Sequence, residues 1–324
     1  MDVIIVCHTE YGLVKDRVIV YRKSATEGVE KGVRNLIKVA DRHGAKVTFT
    51  VMPEVARSFP DEVTHEVGLH VHPGNEELRC GGEMARIGDD YLREQCSEGQ
   101  TSSVLRDYSF REQLALIRAG KDRIEDVLNV TPRVFVAGRW SINNDTVKAL
   151  VRSNFTHDCS AVPAAGPAHY DWSRLPRISM PYRPDEEDYQ RRGKVPLLLV
   201  PVSRSLLKAS VTPELVPSLG VPWLKACFHE YYRQGLPLFH IYLHSPCMTD
   251  QYFQESMDSL LRFIARFDVS FKFASETVEY ENASPRTDIR PYLAGINRNM
   301  LNAAGVVCRR LAGTTVAGIR SVVR

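Results

Sequence analysis

With 324 residues, 44% of them hydrophobic and 25% charged, the chain has material for one large α/β domain with an ample core. A net charge of +3 is too small to point to nucleic acid, yet it is unevenly spread. Arg286 to the C-terminus holds seven Arg, no Lys and one acid (Asp288), so +6 sits on 286–324 and −3 on 1–285. A main domain over 1–285 and a basic helical tail over 286–324 are expected.

"MDVIIVCHTE" opens with an acid at position 2 and a five-residue apolar run, too short for a secretory h-region. The strongest apolar run, Val195 to Val202, falls far short of the roughly 20 residues that cross a bilayer. Seven cysteines is an odd count without export signals, so reduced thiols and a cytoplasmic location are expected. Cys80 and Cys96 flank a loop and would pair only in an oxidising compartment.

In chain order, "DVIIVCH" predicts a first strand. A helix follows from about Ser24, where "SATE" offers a capping box, and stops at Gly44. "AKVTFTVMP" and "HEVGLHVHP" predict the second and third strands, and Gly74 to Tyr108 a long excursion outside the framework. "SFREQLALIRAGKDRIEDVLN" predicts a capped helix with an apolar stripe at Leu114, Ile117, Ile124 and Leu128. Strand "PRVFVAG", helix "NNDTVKALVRSN" and strand "FTHDCS" follow, then a Pro-rich excursion from Pro163 to Pro184 and the strand "PLLLVPVS". Helix "WLKACFHEYYRQG", strand "LPLFHIYLHSP", helix "YFQESMDSLLRFIARF" and strand "VSFKFAS" complete the framework.

This alternation predicts a parallel β/α architecture, either an open doubly wound sheet or a barrel. Histidines close three strands ("VCHTE", "LHVHPG", "IYLHSP"), which favours a barrel, where such ends converge on one face. An open sheet would normally carry a Gly-rich phosphate turn after its first strand, and "HTEYGL" is not one.

His70 and His72 stand two apart, so they share one face of a strand. With His8 and Glu10 after strand one and His244 at the exit of "LFHIYLHSP", they form a candidate metal site. A carboxylate and two imidazoles suit catalytic zinc and leave a fourth position for water, whose pKa then falls towards about 7. His8 and His244 suit the base and acid that a hydrolase needs. Ordinary structural readings stand beside these. The pair could be solvated strand-end residues, His240 a hydrogen-bonded core histidine, His43 a helix C-terminal cap and His65 a structural or supporting group. Either His157 or Asp158 could face the site.

"HEVGLHVHPG", "FVAGRWSINNDT", "FTHDCSAVP" and "LHSPCM" occur in the order and spacing of polysaccharide deacetylases of the carbohydrate esterase 4 type. The chain most resembles the subgroup found among surface-polysaccharide genes, over about residues 2 to 280. The resemblance implies a distorted (β/α)7 barrel with long loop insertions and metal-dependent removal of acyl groups from amino sugars. It implies Glu10, His70 and His72 as metal ligands, although the family's second histidine lies four residues after the first, where this chain has Gly74. It implies His244 as general acid and Asp158 as its partner. Arg139, Trp140 and Trp172 are candidate substrate contacts, and either tryptophan could instead be core or rim.

Two positions depart from the family. The base, usually Asp, is His8, and the arginine that orients it is Val136, leaving only Arg139 nearby. The changes belong together, because an arginine that holds a carboxylate would repel a protonated imidazole. Either His8 has become a neutral base or an extra ligand, or the barrel binds a glycan without turnover. An amidohydrolase-type enzyme is a further alternative, although its His-x-His pair would lie on strand one. Expected partners are a divalent ion, foremost Zn2+, and an amino sugar or glycan precursor. The tail alternates apolar residues and arginines, and would lie on an anionic membrane surface or pack on the barrel or a second subunit.

Overall fold

The computed structural model describes residues 1–61, 63–80, 83–280 and 285–304. Its framework is a parallel sheet of eight strands, seven of them in one path, curled into a distorted barrel. In chain order the elements are β1 (Asp2–Thr9), β2 (Leu13–Lys15), β3 (Val18–Val20), α1 (Glu27–Asp41), β4 (Val47–Val51) and β5 (Glu66–Val71). Next come β6 (Glu76–Cys80), β7 (Glu83–Ile87), α2 (Asp90–Arg93), α3 (Phe110–Leu128), β8 (Val134–Ala137), α4 (Asn144–Arg152) and β9 (His157–Asp158). Last are β10 (Leu198–Leu199), α5 (Val216–Arg233), β11 (Leu238–His244), α6 (Gln251–Ile264), β12 (Ser270–Lys272) and α7 (Arg290–Gly295).

The strands run in the order β10-β9-β8-β5-β4-β1-β11. β1 is central: β11 pairs along its length from Asp2 to His8, while β12 and β4 share its other edge. Between β10 and β11 the wall is closed by irregular chain. Ser203 N donates to His240 O (3.2 Å) and Tyr242 N to Val211 O (3.1 Å). β1 and β4 are buried almost throughout, as strands covered on both faces must be.

The helical signals translate directly. Ser109 and Glu112 form the capping box of α3, Asn143 and Thr146 that of α4, and Gly44 takes the left-handed conformation after α1 (φ +62°). The start of α1 differs from expectation. It begins at Glu27, and Thr26 Oγ1 donates to Glu30 Oε1 without capping the backbone. The strands expected over "FTHDCS" and "PLLLVPVS" shrink to two paired residues each, β9 and β10.

Two hairpins that the sequence reading did not find stand on the rim. In β2–β3 the two-residue turn is Asp16-Arg17, both left-handed (φ 51° and 62°). β6–β7 lies inside the stretch read as an excursion. Residues 305–324 of the expected tail fall outside the described residues. Before them, α7 packs on α5, where Tyr292 is buried and its ring lies 4.5 Å from that of Trp223. No helix among the described residues is long and apolar enough to cross a membrane.

Candidate active site

Strand exits at one rim deliver the chemistry: β1 brings His8 and Glu10, β5 brings His70 and His72, β8 brings Gly138 to Trp140, and β11 brings His244. Glu10, His70 and His72 are all buried, and each offers a donor atom within 4.8 Å of the others'. Ser245 fixes the Glu10 backbone, accepting from Glu10 N (3.1 Å) and donating to Glu10 O (3.3 Å). Nδ1 of His70 lies 3.0 Å from the Val136 carbonyl, which requires a proton on Nδ1 and leaves the Nε2 lone pair facing Glu10 Oε1 at 2.7 Å. Burial holds His70 below the ordinary imidazole range despite Glu10. A neutral His70 therefore places two lone pairs face to face, a contact that is favourable only with positive charge between them.

His72 completes the set with Nε2 3.6 Å from the same carboxylate oxygen. Its ring lies against Gly138, where a Cβ would come within 2.3 Å of Nδ1, so only glycine leaves room for the imidazole. Burial works against the Glu10 charge, but the imidazoles of His70, His72 and His244 around it outweigh burial and hold the carboxyl well below the usual range. The donor set thus fits a divalent ion of the zinc class.

His8, Glu10 and His244 make a second three-donor group within 4.8 Å. Nδ1 of His8 lies 3.3 Å from Nε2 of His244, whose Nδ1 bonds Glu214 Oε1 at 2.9 Å. Burial disfavours charge on His244, but the Glu214 carboxylate outweighs it and lifts the imidazole to about 9. At neutral pH His244 is cationic and a poor ligand, which leaves Glu10, His70 and His72 as the better ion site. Burial, followed by the charge on His244, holds His8 well below the ordinary range. The two histidines therefore rest in opposite protonation states.

Asp158 is not the partner of His244. Its carboxylate accepts from Ser160 Oγ (2.6 Å) and Ser160 N (3.3 Å), and burial pushes it up to about 7. Glu214 takes the place the sequence reading gave it. It sits in a short turn before α5, and the one sequence clue is that it is the sole acid between Asp188 and Glu230. Trp172 is fully buried and donates through Nε1 to the Trp140 carbonyl, so it supports the rim from within. Trp140 does reach the site, its ring 4.9 Å from both His8 and Tyr242. Arg139 lines the pocket and pairs with Glu76 (2.9 Å). Both Arg139 and Trp140 are left-handed (φ 55° and 58°), a conformation that costs non-glycine residues about 1–3 kcal/mol each and clusters at functional sites.

Four other histidines are structural. His240 is buried, with Nδ1 3.2 Å from the Pro201 carbonyl. His65 accepts from Val47 N, His157 bonds the Thr277 carbonyl, and His43 ties α1 to α6 through Asp258 rather than capping a helix. The Cys96 thiol is free and donates to the Leu92 carbonyl, while the Cys80 side chain lies outside the described residues.

No protein-family model matches the chain, and no curated protein matches it in sequence. Solved structures do match in fold. A candidate polysaccharide deacetylase from Mycobacterium smegmatis aligns at TM-score 0.53 and 15% identity over 84% of this chain and 87% of that one. A candidate polysaccharide deacetylase from Pseudomonas aeruginosa aligns at TM-score 0.55 and 13% identity, covering 85% and 88%. PuuE allantoinase aligns at TM-score 0.55 and 14% identity, also covering 85% and 88%. The chain has the distorted (β/α)7 barrel fold shared by these proteins.

Proposed function

We propose that this protein is a metal-dependent hydrolase that removes an acyl group, acetyl in the simplest case, from the nitrogen of an amino sugar or glycan precursor. One observation carries the reading: a buried carboxylate–imidazole cluster and a separate imidazolium held by a carboxylate share one pocket. The deacetylases among the solved structures of this fold support the reaction class.

A divalent ion held by Glu10, His70 and His72, with Zn2+ favoured by the donor set, would polarise the acyl carbonyl and lower the pKa of the attacking water. The chain's own groups handle the protons. At rest, cationic His244 directs its Nε2–H at His8 Nδ1. A bound amide nitrogen would draw that N–H away and expose the His8 lone pair. Neutral His8 then accepts the attacking water's proton in the place of the family's aspartate, and His244 gives its own proton to the nitrogen as the C–N bond breaks. Glu214 keeps His244 charged until the transfer. Trp140 offers a flat apolar face to a sugar ring.

Two other readings have specific support. PuuE allantoinase shares the fold, so the same barrel also fits an amide C–N hydrolase whose substrate is not a sugar. A non-catalytic glycan-binding barrel is favoured by the His8 and Val136 departures. Metal content and turnover separate all three. Purified protein should hold one equivalent of metal, a His70→Ala variant should lose it, and acetate should be released from N-acetylated amino sugars or their nucleotide- or lipid-linked forms. A metal-free wild type that releases no acetate ends the deacylase reading.

The expected setting is the cytoplasm, a compartment in which the odd count of seven cysteines would stay reduced. The basic tail would carry the enzyme to anionic lipid surfaces or contribute to a homo-oligomer. Vesicle flotation of the full chain checks the first, since failure to float with anionic vesicles removes membrane contact.

A further inference from the structure

We propose that the pocket takes a single amino-sugar unit, free or at the end of a chain, and not a unit inside a polymer. The proposal depends on the deacylase reading only for the identity of the reacting group. Its ground is the shape of the rim. The cavity measures about 190 Å³, below the roughly 300–1,000 Å³ typical of drug-sized ligands. A polymer threaded across a catalytic site needs a way out on both sides of the reacting unit. Here the two rim hairpins and the β8–α4 turn form a continuous wall along one flank.

That wall begins at Tyr21, just after β3, whose ring centroid lies 6.3 Å from that of His244. It continues through Tyr11, whose buried hydroxyl donates to the Gly88 carbonyl (2.9 Å) and approaches the Arg86 carbonyl (3.2 Å). This joins the base of the first hairpin to the end of β7. The second hairpin is shut at its own base, where a Cβ on Gly88 would come within 2.1 Å of the Gly74 carbonyl. Ile87 faces the cavity from this hairpin. The wall ends at Arg139, clasped to Glu76 of β6 (2.9 Å) and bonded to Ser103 Oγ (3.3 Å). A chain leaving over Ile87 would have to displace these contacts.

The test uses the full-length, zinc-loaded protein with N-acetylglucosamine and its oligomers of increasing length. The expected result is acetate that levels at one per chain whatever the length, with kcat/KM flat across the series. Acetate in proportion to the number of units overturns the proposal. Calorimetry on the same series with a His244→Ala variant reads the pocket without turnover, and affinity should not change beyond the first unit. Affinity that climbs with each added unit means an open groove and also overturns it. Flat binding without acetate release would leave the pocket assignment standing and remove the hydrolytic reading. Neither binding nor release at any length removes both.

Discussion

Glu214 and Asp158 are both carboxylates near the rim, and they make opposite predictions. Glu214 sustains the charge on His244, so a general acid built this way is active below about pH 9 and lost as pH rises through that value. A Glu214→Gln variant removes the raising influence while burial remains, so the alkaline limb of the pH–rate profile should move down by more than one unit. At pH 8 the rate should fall by about tenfold or more, since positioned acids contribute roughly 10²–10⁴. Asp158→Asn should leave the limb where it is, because Asp158 bonds Ser160 and not His244. A limb that moves with Asp158 and not with Glu214 reverses the assignment. The reason the sequence misled is physical. Strand-end ligands announce themselves through the two-residue period of a strand, as His70 and His72 do. A residue that reaches the site from an irregular turn has no such period, and Glu214 has no motif around it to read.

At the scale of elements, helices were more legible than strands. An amphipathic stripe with a cap is a local signal, and α3, α4 and α6 carry one. Apolar runs such as "PLLLVPVS" promise burial but not a strand, and here only Leu198 and Leu199 join a strand ladder. The β2–β3 hairpin escaped because its turn places Asp16 and Arg17, rather than the usual Asn-Gly or Asp-Gly, in left-handed geometry. Element packing also reaches the site. α1 lies against the turn at residues 245–249, and a Cβ at Gly32 would come within 2.2 Å of the Ser245 carbonyl. Because Ser245 also holds the Glu10 backbone, the small face of α1 sets the position of a candidate ligand. Gly32→Ala should destabilise the fold by about 1–3 kcal/mol through overpacking and weaken metal binding with it. Denaturant titration alongside metal affinity checks this, and an unchanged midpoint would show that the turn yields freely.

Across the whole molecule, the alternation of strand and helix announced a parallel β/α architecture and the histidines at three strand ends favoured a barrel, but neither said how it would be closed. The seam between β10 and β11 is irregular, and α5 lies behind it with Glu230 fully buried. A buried carboxylate needs its lone pairs filled, and a missing partner leaves a desolvated charge. Arg177 supplies two of those bonds from the Pro-rich excursion, while Tyr292 Oη (2.7 Å) and Asp288 N (3.1 Å) supply the others from residues after 285. The segment whose composition suggested a separate tail therefore begins by completing a charge inside the barrel's outer layer. Tyr292→Phe keeps the ring against Trp223 and removes only the hydroxyl, so the loss should be that of one hydrogen bond to a charged group, about 1.5–3 kcal/mol. Metal content and the pH–rate profile should stay as in the wild type, because the contact lies on α5 and not at the rim. A stability change below about 0.5 kcal/mol, the range of an ordinary surface substitution, would mean that Glu230 is satisfied without the C-terminal segment. In that case residues 286–304 would be an appendage to the barrel and not part of its closure.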